Sequence, residues 1–263
     1  MTIRVLRLAA VAALACGALL VPAAGSNAAA TCSSLILTGH PSYPPVSWAS
    51  GGTLEGAGID VVRQLASANE VPLQVVHAGS WEAAQQAVKT GKADAIVGLY
   101  RTEARLPSFT YLEPAIAPDP SAVLVRTGET FVYKDWNSLI GKKGVANVGE
   151  SFGHAFDTFA ASKLRIATVH GNKAVYRALL TKQADYALMG YYVAENEMPK
   201  DTLAFATKNF ATEGLYIAFG KTTPCSSLAP AFSKALTAMI ADGTVKRLFV
   251  EALAKYEATH PAK

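Results

Sequence analysis

The order of apolar runs and amphipathic segments predicts alternating strands and helices in the first part of the chain. Short apolar runs beginning at Leu35, Val71 and Ala95 are typical of buried strands. Between them, apolar residues recur at helical spacing over residues 59–66 and 81–89. This β-α-β-α-β order indicates an α/β fold with a mostly parallel sheet.

A second set of similar build follows a proline-punctuated stretch at residues 111–120. Apolar runs predict its strands at residues 122–126, 144–148, 165–170 and 186–189, and a last strand at 214–220. Helical periodicity predicts its helices at residues 135–140, 152–162 and 173–182, and two final helices at 227–241 and 244–256. The order predicts two α/β lobes, each a mostly parallel sheet flanked by helices, joined by two crossover strands.

The predicted crossovers divide the chain into a discontinuous first lobe and an inserted second lobe. We expect residues 31–121 and 213–263 to form the first lobe and residues 122–212 to form the second. The segments before Asp94 and Asp185 have similar sequences, and each opens an apolar strand that ends at a glycine, Gly98 or Gly190. This match supports two lobes of similar build.

The first thirty residues have the pattern of a secretory signal. Arg4 and Arg7 precede an apolar run at residues 8–21, which is too short to span a bilayer comfortably and is followed by small residues up to Ala30. We therefore predict a signal peptide at residues 1–30 and a periplasmic location. Acylation of Cys16 as a lipoprotein is the alternative, but Ala13-Leu14-Ala15 is a poor lipobox.

Export changes the expectation for the three cysteines. Once Cys16 has left with the signal, Cys32 and Cys225 form an even pair in an oxidising compartment, where a disulfide is the default. Such a bond would place the start of the exported chain and the region beyond residue 220 in one structural unit.

Charge and length limit the remaining possibilities. About 230 residues follow the signal, enough for two modest lobes or one large domain. Removing Arg4 and Arg7 lowers the formal net charge from +4 to +2, with acidic and basic residues interspersed. This pattern is unlike a nucleic-acid footprint, so we expect no nucleic-acid partner. The histidines lack the spacing of metal ligands, and neither a metal nor a cofactor is predicted.

The candidate chemistry lies after the strand that follows Asp94. The apolar run breaks at Gly98 and is followed by Tyr100, Thr102 and Arg105. Ligands of open α/β sheets bind just beyond the carboxyl ends of strands. A planar guanidinium beside a hydroxyl suits a carboxylate, because two parallel charge-assisted hydrogen bonds fix its position and orientation.

Several segments resemble the family 3 extracytoplasmic solute-binding proteins, which are receptors of ABC importers for polar amino acids. The resemblance rests on the proline-aromatic loop at residues 39–48, Gly58-Ile-Asp-Val-Val, Trp81 before Gly91-Lys-Ala-Asp94, and Thr102-Glu-Ala-Arg105 followed by residues 109–114. It covers essentially all of residues 31–263. It implies a type II periplasmic-binding-protein clamshell whose lobes close on a small ligand by a hinge motion.

The resemblance also implies roles for individual residues. The arginine matching Arg105 binds the α-carboxylate of the ligand, helped by the residue matching Thr102. Tyr43 matches an aromatic residue that covers the ligand, and Trp81 falls where the pocket wall is expected. Across the cleft, the turn at residues 149–151 matches a segment whose hydroxyl and helix N-terminal amides complete the carboxylate site.

Departures from the family pattern bear on the ligand. Tyr100 replaces a small hydroxyl residue, His40 stands where several relatives have an acid, and Arg101 adds a second cation. Many relatives carry an aspartate for the α-ammonium where this chain has Gly190. Recognition of an amino group is therefore open, and the departures favour an acidic or aromatic ligand over a basic amino acid. The complete candidate site is Arg105, Thr102, Tyr100, Tyr43, Trp81, Ser151, Glu150, His40 and Gly98.

We expect this site to bind a small carboxylate or amino acid without chemical change, in a monomeric receptor that delivers it to the membrane permease of an ABC transporter. Two enzymatic alternatives stay open. Gly149-Glu-Ser-Phe-Gly153 fits the G-x-S-x-G nucleophile elbow of serine hydrolases, with Ser151 as the nucleophile. A few relatives of the family dehydrate small cyclic carboxylates, as cyclohexadienyl dehydratase does, and Glu150 is the candidate acid or base.

Overall fold

The computed structural model describes residues 32–129 and 131–260. The predicted signal peptide and Cys16 lie outside the described residues. Twelve strands are present in the described part of the chain: β1 Leu35–Gly39, β2 Ser42–Tyr43, β3 Ser47–Ser50, β4 Thr53–Glu55, β5 Leu73–Val75, β6 Ala95–Tyr100, β7 Phe109–Tyr111, β8 Ala117–Arg126, β9 Lys143–Asn147, β10 Arg165–Val169, β11 Tyr186–Gly190 and β12 Leu203–Gly220.

The same residues form seven α-helices, which are α1 Ala57–Ala68, α2 Trp81–Lys89, α3 His154–Lys163, α4 Asn172–Leu180, α5 Tyr191–Glu197, α6 Ala229–Ala241 and α7 Thr244–Thr259. Ser80 caps α2 by accepting a hydrogen bond from the backbone N–H of Ala83 at 3.1 Å. The last two helices are separated by Gly243, whose φ of 81° suits glycine. None of the helices in the described ranges is long and apolar enough to cross a membrane.

Two long strands connect two parallel sets of strands. The main sheet has the order β10-β9-β11-β8-β12-β6-β1-β5, and β7 also pairs with β12. The pairs β1/β5, β1/β6, β9/β10 and β9/β11 are parallel, whereas β8 and β12 run antiparallel to each other and to their neighbours. The fold is therefore the predicted two-lobe α/β clamshell, and the lobes are joined by β8 and β12.

The hydrophobic clusters follow this division. One set of buried side chains joins β1, β6 and α1 to α6 and α7, and another joins α2 to β6 and β7. Separate clusters join β9 and β11 to α3, α4 and α5. We propose that the lobe boundaries lie at residues 121/122 and 212/213, which fall inside β8 and β12.

The disulfide between Cys32 and Cys225 is present, with a Cα–Cα distance of 4.6 Å and a sequence separation of 193 residues. Cys225 is buried in the cluster that contains β1 and α1. The two ends of the described chain consequently belong to one lobe, as predicted from the cysteine count.

The structure corrects several predicted elements. The strand after Asp94 does not end at Gly98 but continues to Tyr100, because a register shift against β12 accommodates the positive φ of Gly98. The loop at residues 39–48 contains β2 and the start of β3, and β2, β3 and β4 form a small antiparallel sheet. The helix predicted at 135–140 is a 3₁₀ turn at Trp136–Leu139, and α5 was not predicted.

Candidate functional site

The predicted site residues lie together in the cleft between the lobes. Two small adjoining cavities occupy this cleft, and residues of both lobes line them. The cavity wall contains eight of the nine predicted residues: His40, Tyr43, Trp81, Gly98, Tyr100, Arg105, Glu150 and Ser151. The sequence prediction thus identified one continuous surface, although the role of each residue in binding stays a prediction.

Arg105 is buried in this cleft, with 8% of its surface exposed. Its Nη1 donates to the carbonyl of Tyr100 at 3.2 Å, and its Nη2 donates across the cleft to the carbonyl of Gly149 at 3.0 Å. Burial lowers the pKa of Arg105 from its ordinary value, and nearby Tyr111 and Glu150 oppose that shift. Within residues 32–129 and 131–260, no carboxylate lies within ion-pair distance of the guanidinium. Arg105 is therefore a buried cation held by two neutral carbonyls.

A tight turn places Arg105 at the end of β6. The carbonyl of Thr102 accepts from the backbone N–H groups of Arg105 and Leu106, at 3.0 and 3.1 Å. Thr102 is buried but is the one predicted residue that does not line the two cavities. Arg101 instead points outward and pairs with Glu113 at 2.6 Å. The second cation predicted for the site is thus engaged at the surface.

Further contacts cross the cleft and hold the lobes together. Gln85 donates to the carbonyl of Gly149 at 3.1 Å, beside the bond from Arg105. His40 Nδ1 accepts from the backbone N–H of Ser42 at 2.9 Å, and its Nε2 lies 3.5 Å from an oxygen of Glu150. Because Nδ1 accepts, the hydrogen of a neutral His40 ring is on Nε2 and faces that carboxylate.

A buried carboxylate that the sequence analysis missed lies beside the cavities. Tyr43 and Tyr100 both donate their phenol hydrogens to Oδ2 of Asp119, which is on β8 and fully buried. Burial raises the pKa of Asp119 to about 6, and the two phenol hydrogen bonds partly oppose the rise. Burial and the nearby carboxylate raise the pKa of both phenols well above 10, so both remain donors.

Aromatic rings form the rest of the wall on the first lobe. The His40 ring lies 5.3 Å from Trp81 and 5.6 Å from Tyr43, measured between centroids. The indole N–H of Trp81 is buried and has no hydrogen-bond partner in the described part of the chain. Trp81 and Arg105 line the same cavity.

The Ser151 hydroxyl is hydrogen-bonded to an aspartate. Its hydroxyl donates to Asp157 at 2.5 Å, and Asp157 also accepts from the backbone N–H of Phe152 at 2.9 Å. A serine nucleophile needs a histidine base within hydrogen-bonding reach. No histidine in the described ranges hydrogen-bonds to Ser151; His154 and His170 lie 3.9 Å from Glu103 and Glu82. Ser151 and Asp157 instead order the turn before α3.

Other residues of the cleft also escaped the sequence analysis. Ser42 donates to Glu197 at 2.7 Å, and Asn172 donates to the Ser42 carbonyl at 3.1 Å and to Glu197 at 2.9 Å. These residues come from segments far apart in sequence; Ser42 lies in the loop at residues 39–48, but nothing in that loop indicates a partner near residue 172 or 197. Gly190 also lines the larger of the two cavities.

The fold and this cleft define a two-lobe binding protein of the periplasmic type. Residues 35–254 match the profile of the bacterial extracellular solute-binding proteins, family 3. The chain therefore belongs to that family. No curated protein sequence matches it.

Solved structures with the same fold include several amino acid receptors. A P235GK mutant of ArgBP from T. maritima has a TM-score of 0.71 and 18% identity, covering 84% of this chain and 96% of that one. The substrate-binding protein AbpA from Streptococcus pneumoniae, bound to L-arginine, has a TM-score of 0.69 and 20% identity, covering 84% of this chain and 95% of AbpA. An ancestral arginine-binding protein bound to glutamine has a TM-score of 0.68 and 21% identity, covering 83% of this chain and 97% of that one.

Proposed function

We propose that this protein is a periplasmic receptor that reversibly binds a small carboxylate-bearing solute, an amino acid or a related organic acid, and delivers it to an ABC importer. The observation that carries the proposal is the buried guanidinium of Arg105, which has no acidic partner among the described residues. A buried charge without an ion-pair partner is costly, and the more distant Glu150 offsets only part of that cost, because burial still lowers the pKa of Arg105. A ligand carboxylate that accepts two parallel hydrogen bonds would remove that cost and be fixed in orientation.

The remaining predicted residues have consistent places in such a complex. The Trp81 indole N–H has no partner among the described residues and would supply a donor in the cavity that Arg105 also lines, while the ring of Tyr43 lines that cavity from the first lobe. Thr102 acts indirectly, because its carbonyl accepts from the backbone N–H groups of Arg105 and Leu106 and so holds the turn. On the second lobe, Glu150 and Ser151 line the cavity. The contacts between Gly149 and Arg105 link ligand binding to closure, because a ligand at Arg105 would lie directly against the second lobe.

Similar proteins support the amino acid class of ligand. AbpA is bound to L-arginine, and the ancestral arginine-binding protein is bound to glutamine. Export through the signal peptide predicted at residues 1–30, a monomeric state and an ABC permease partner complete the proposed role. Enzymatic turnover on the same scaffold is the alternative, because the cleft contains the His40 and Glu150 pair.

A thermal-shift screen tests the proposed function. The panel contains the standard L-amino acids, dicarboxylates and aromatic acids. A true ligand at about a thousandfold its dissociation constant stabilises the native state by roughly 4 kcal/mol, a rise in Tm of about 10 °C. Prephenate and a p-nitrophenyl ester in the same panel are assayed for turnover. Turnover of either would favour an enzyme, and a panel in which no carboxylate shifts Tm would contradict the receptor proposal.

A further inference from the structure

Asp119 has an unusually incomplete set of partners for a buried carboxylate. Its side chain is fully buried, and both phenol hydrogen bonds converge on Oδ2, whereas Oδ1 has no hydrogen-bond partner in the described part of the chain. No lysine, arginine or histidine of the described residues lies within ion-pair distance. Buried carboxylates are normally paired with a cation or satisfied by several donors. Asp119 therefore has unused capacity for a cationic partner.

The surroundings of Asp119 belong to the ligand cleft. Tyr43, Tyr100 and Gly190 line the larger cavity. A Cβ placed on Gly190 would lie 3.0 Å from the ring of Tyr43 and 3.6 Å from Oδ2 of Asp119. The second lobe thus approaches the carboxylate closely because residue 190 has no side chain.

Tyr100 connects the two charged ends of the cleft. Its backbone carbonyl accepts from Arg105, and its phenol donates to Asp119. A cationic and an anionic group are therefore held at opposite ends of one tyrosine. A ligand that has both a carboxylate and a cationic group can contact both ends, whereas a simple organic acid matches only Arg105.

We propose that Asp119, with the phenols of Tyr43 and Tyr100, forms the subsite for a protonated amino group of the ligand whose carboxylate is bound by Arg105. This inference rests on the proposed function and narrows the ligand class to zwitterionic amino acids. An ammonium group supplies three donors, which match Oδ1 and the lone pairs of the two phenol oxygens.

Opening of the cleft gives a ligand access to this subsite. Tyr43 packs against hydrophobic clusters of both lobes. Separation of the lobes must break one of those contacts and withdraw Gly190 from the Tyr43 ring, which removes the cover that the second lobe places over Tyr43 and the carboxylate behind it. The subsite also reverses the preference for an acidic or aromatic ligand that the sequence indicated. Gly190 stands where many relatives have an aspartate for the amino group, and in the proposed subsite Asp119 on β8 supplies that carboxylate instead.

Calorimetry with matched probes tests the subsite. Each standard L-amino acid is titrated first, and every one that binds is compared with the acid in which hydrogen replaces its α-amino group. Wild-type protein should bind the amino acid at least about tenfold more tightly than its desamino partner. Asp119→Asn keeps the shape of the side chain. It should lower the affinity for the amino acid by about tenfold or more and change the affinity for the desamino acid by less than about threefold. Asp60→Asn, on α1, is the control for loss of an aspartate outside the cleft.

The possible results separate the subsite from the receptor proposal. Equal wild-type affinity for amino and desamino acids overturns the subsite without any variant, and leaves Arg105 as a carboxylate site. Unchanged amino acid affinity in a folded Asp119→Asn variant overturns it as well. If neither class of acid binds wild-type protein, the proposed function fails and the subsite fails with it.

Discussion

The buried carboxylate of Asp119 predicts an unusual dependence of stability on pH. Burial raises its pKa from 3.8 to about 6 in the folded protein. The folded state consequently holds a proton more tightly than the unfolded state, and ionisation disfavours folding. This cost is absent below pH 3.8 and fully present above pH 6. Because one pKa unit corresponds to about 1.4 kcal/mol, the cost reaches about 3 kcal/mol at pH 8.

Asp119→Asn removes this ionisation while retaining a similar shape. The stability of the ligand-free variant relative to wild type should therefore rise by about 2.5 kcal/mol between pH 4 and pH 8. The assay is chemical denaturation of both proteins across that range, with the disulfide intact. Asp201→Asn, which removes an exposed carboxylate, is the control for net charge. A relative stability that does not change with pH, or that falls as the pH rises, would refute the reasoning.

Three further predictions concern the disulfide, the serine and the narrow wall of the cleft. Cys225→Ser should lower the free energy of unfolding by up to about 5 kcal/mol. Peptide mapping of wild type without reductant should find Cys32 joined to Cys225, and free thiols at these two residues would contradict the structure. Ser151→Ala should leave any p-nitrophenyl ester hydrolysis unchanged, and a loss of that activity would favour the hydrolase. Gly190→Ala places a Cβ 3.0 Å from the Tyr43 ring. Overpacking there should weaken ligand binding by about fivefold or more in calorimetry, and wild-type affinity would show that the wall is not rigid.

The fold was predictable because its strong signals are local. The periodicity of α2 and the serine that caps it are contained within ten residues, and the predicted helix has the observed bounds of Trp81–Lys89. The cysteine pair and the two sets of strands likewise required only counting and spacing. The cavity residues were predicted because a family pattern placed Arg105 and Tyr43 together, which periodicity alone does not do.

Asp119 escaped prediction for a physical reason. Pro118 and Pro120 flank it, and proline lacks the N–H that a strand normally uses, so the segment did not read as a strand. In the structure, β8 nevertheless pairs with β12 through this region. The cross-cleft bonds between Ser42 and Glu197 were equally inaccessible, because the two residues are 155 positions apart and belong to different lobes.

The central claim is that Arg105 binds a ligand carboxylate in a closing cleft. Titration calorimetry of wild type, Arg105→Ala and Arg101→Ala with the acid or amino acid that gives the largest thermal shift tests it most directly. Arg101 is the matched control, because it is an exposed arginine already paired with Glu113. Loss of a charge-assisted bidentate contact should abolish measurable binding in Arg105→Ala and leave Arg101→Ala close to wild type. Wild-type affinity in a folded Arg105→Ala protein would contradict the account.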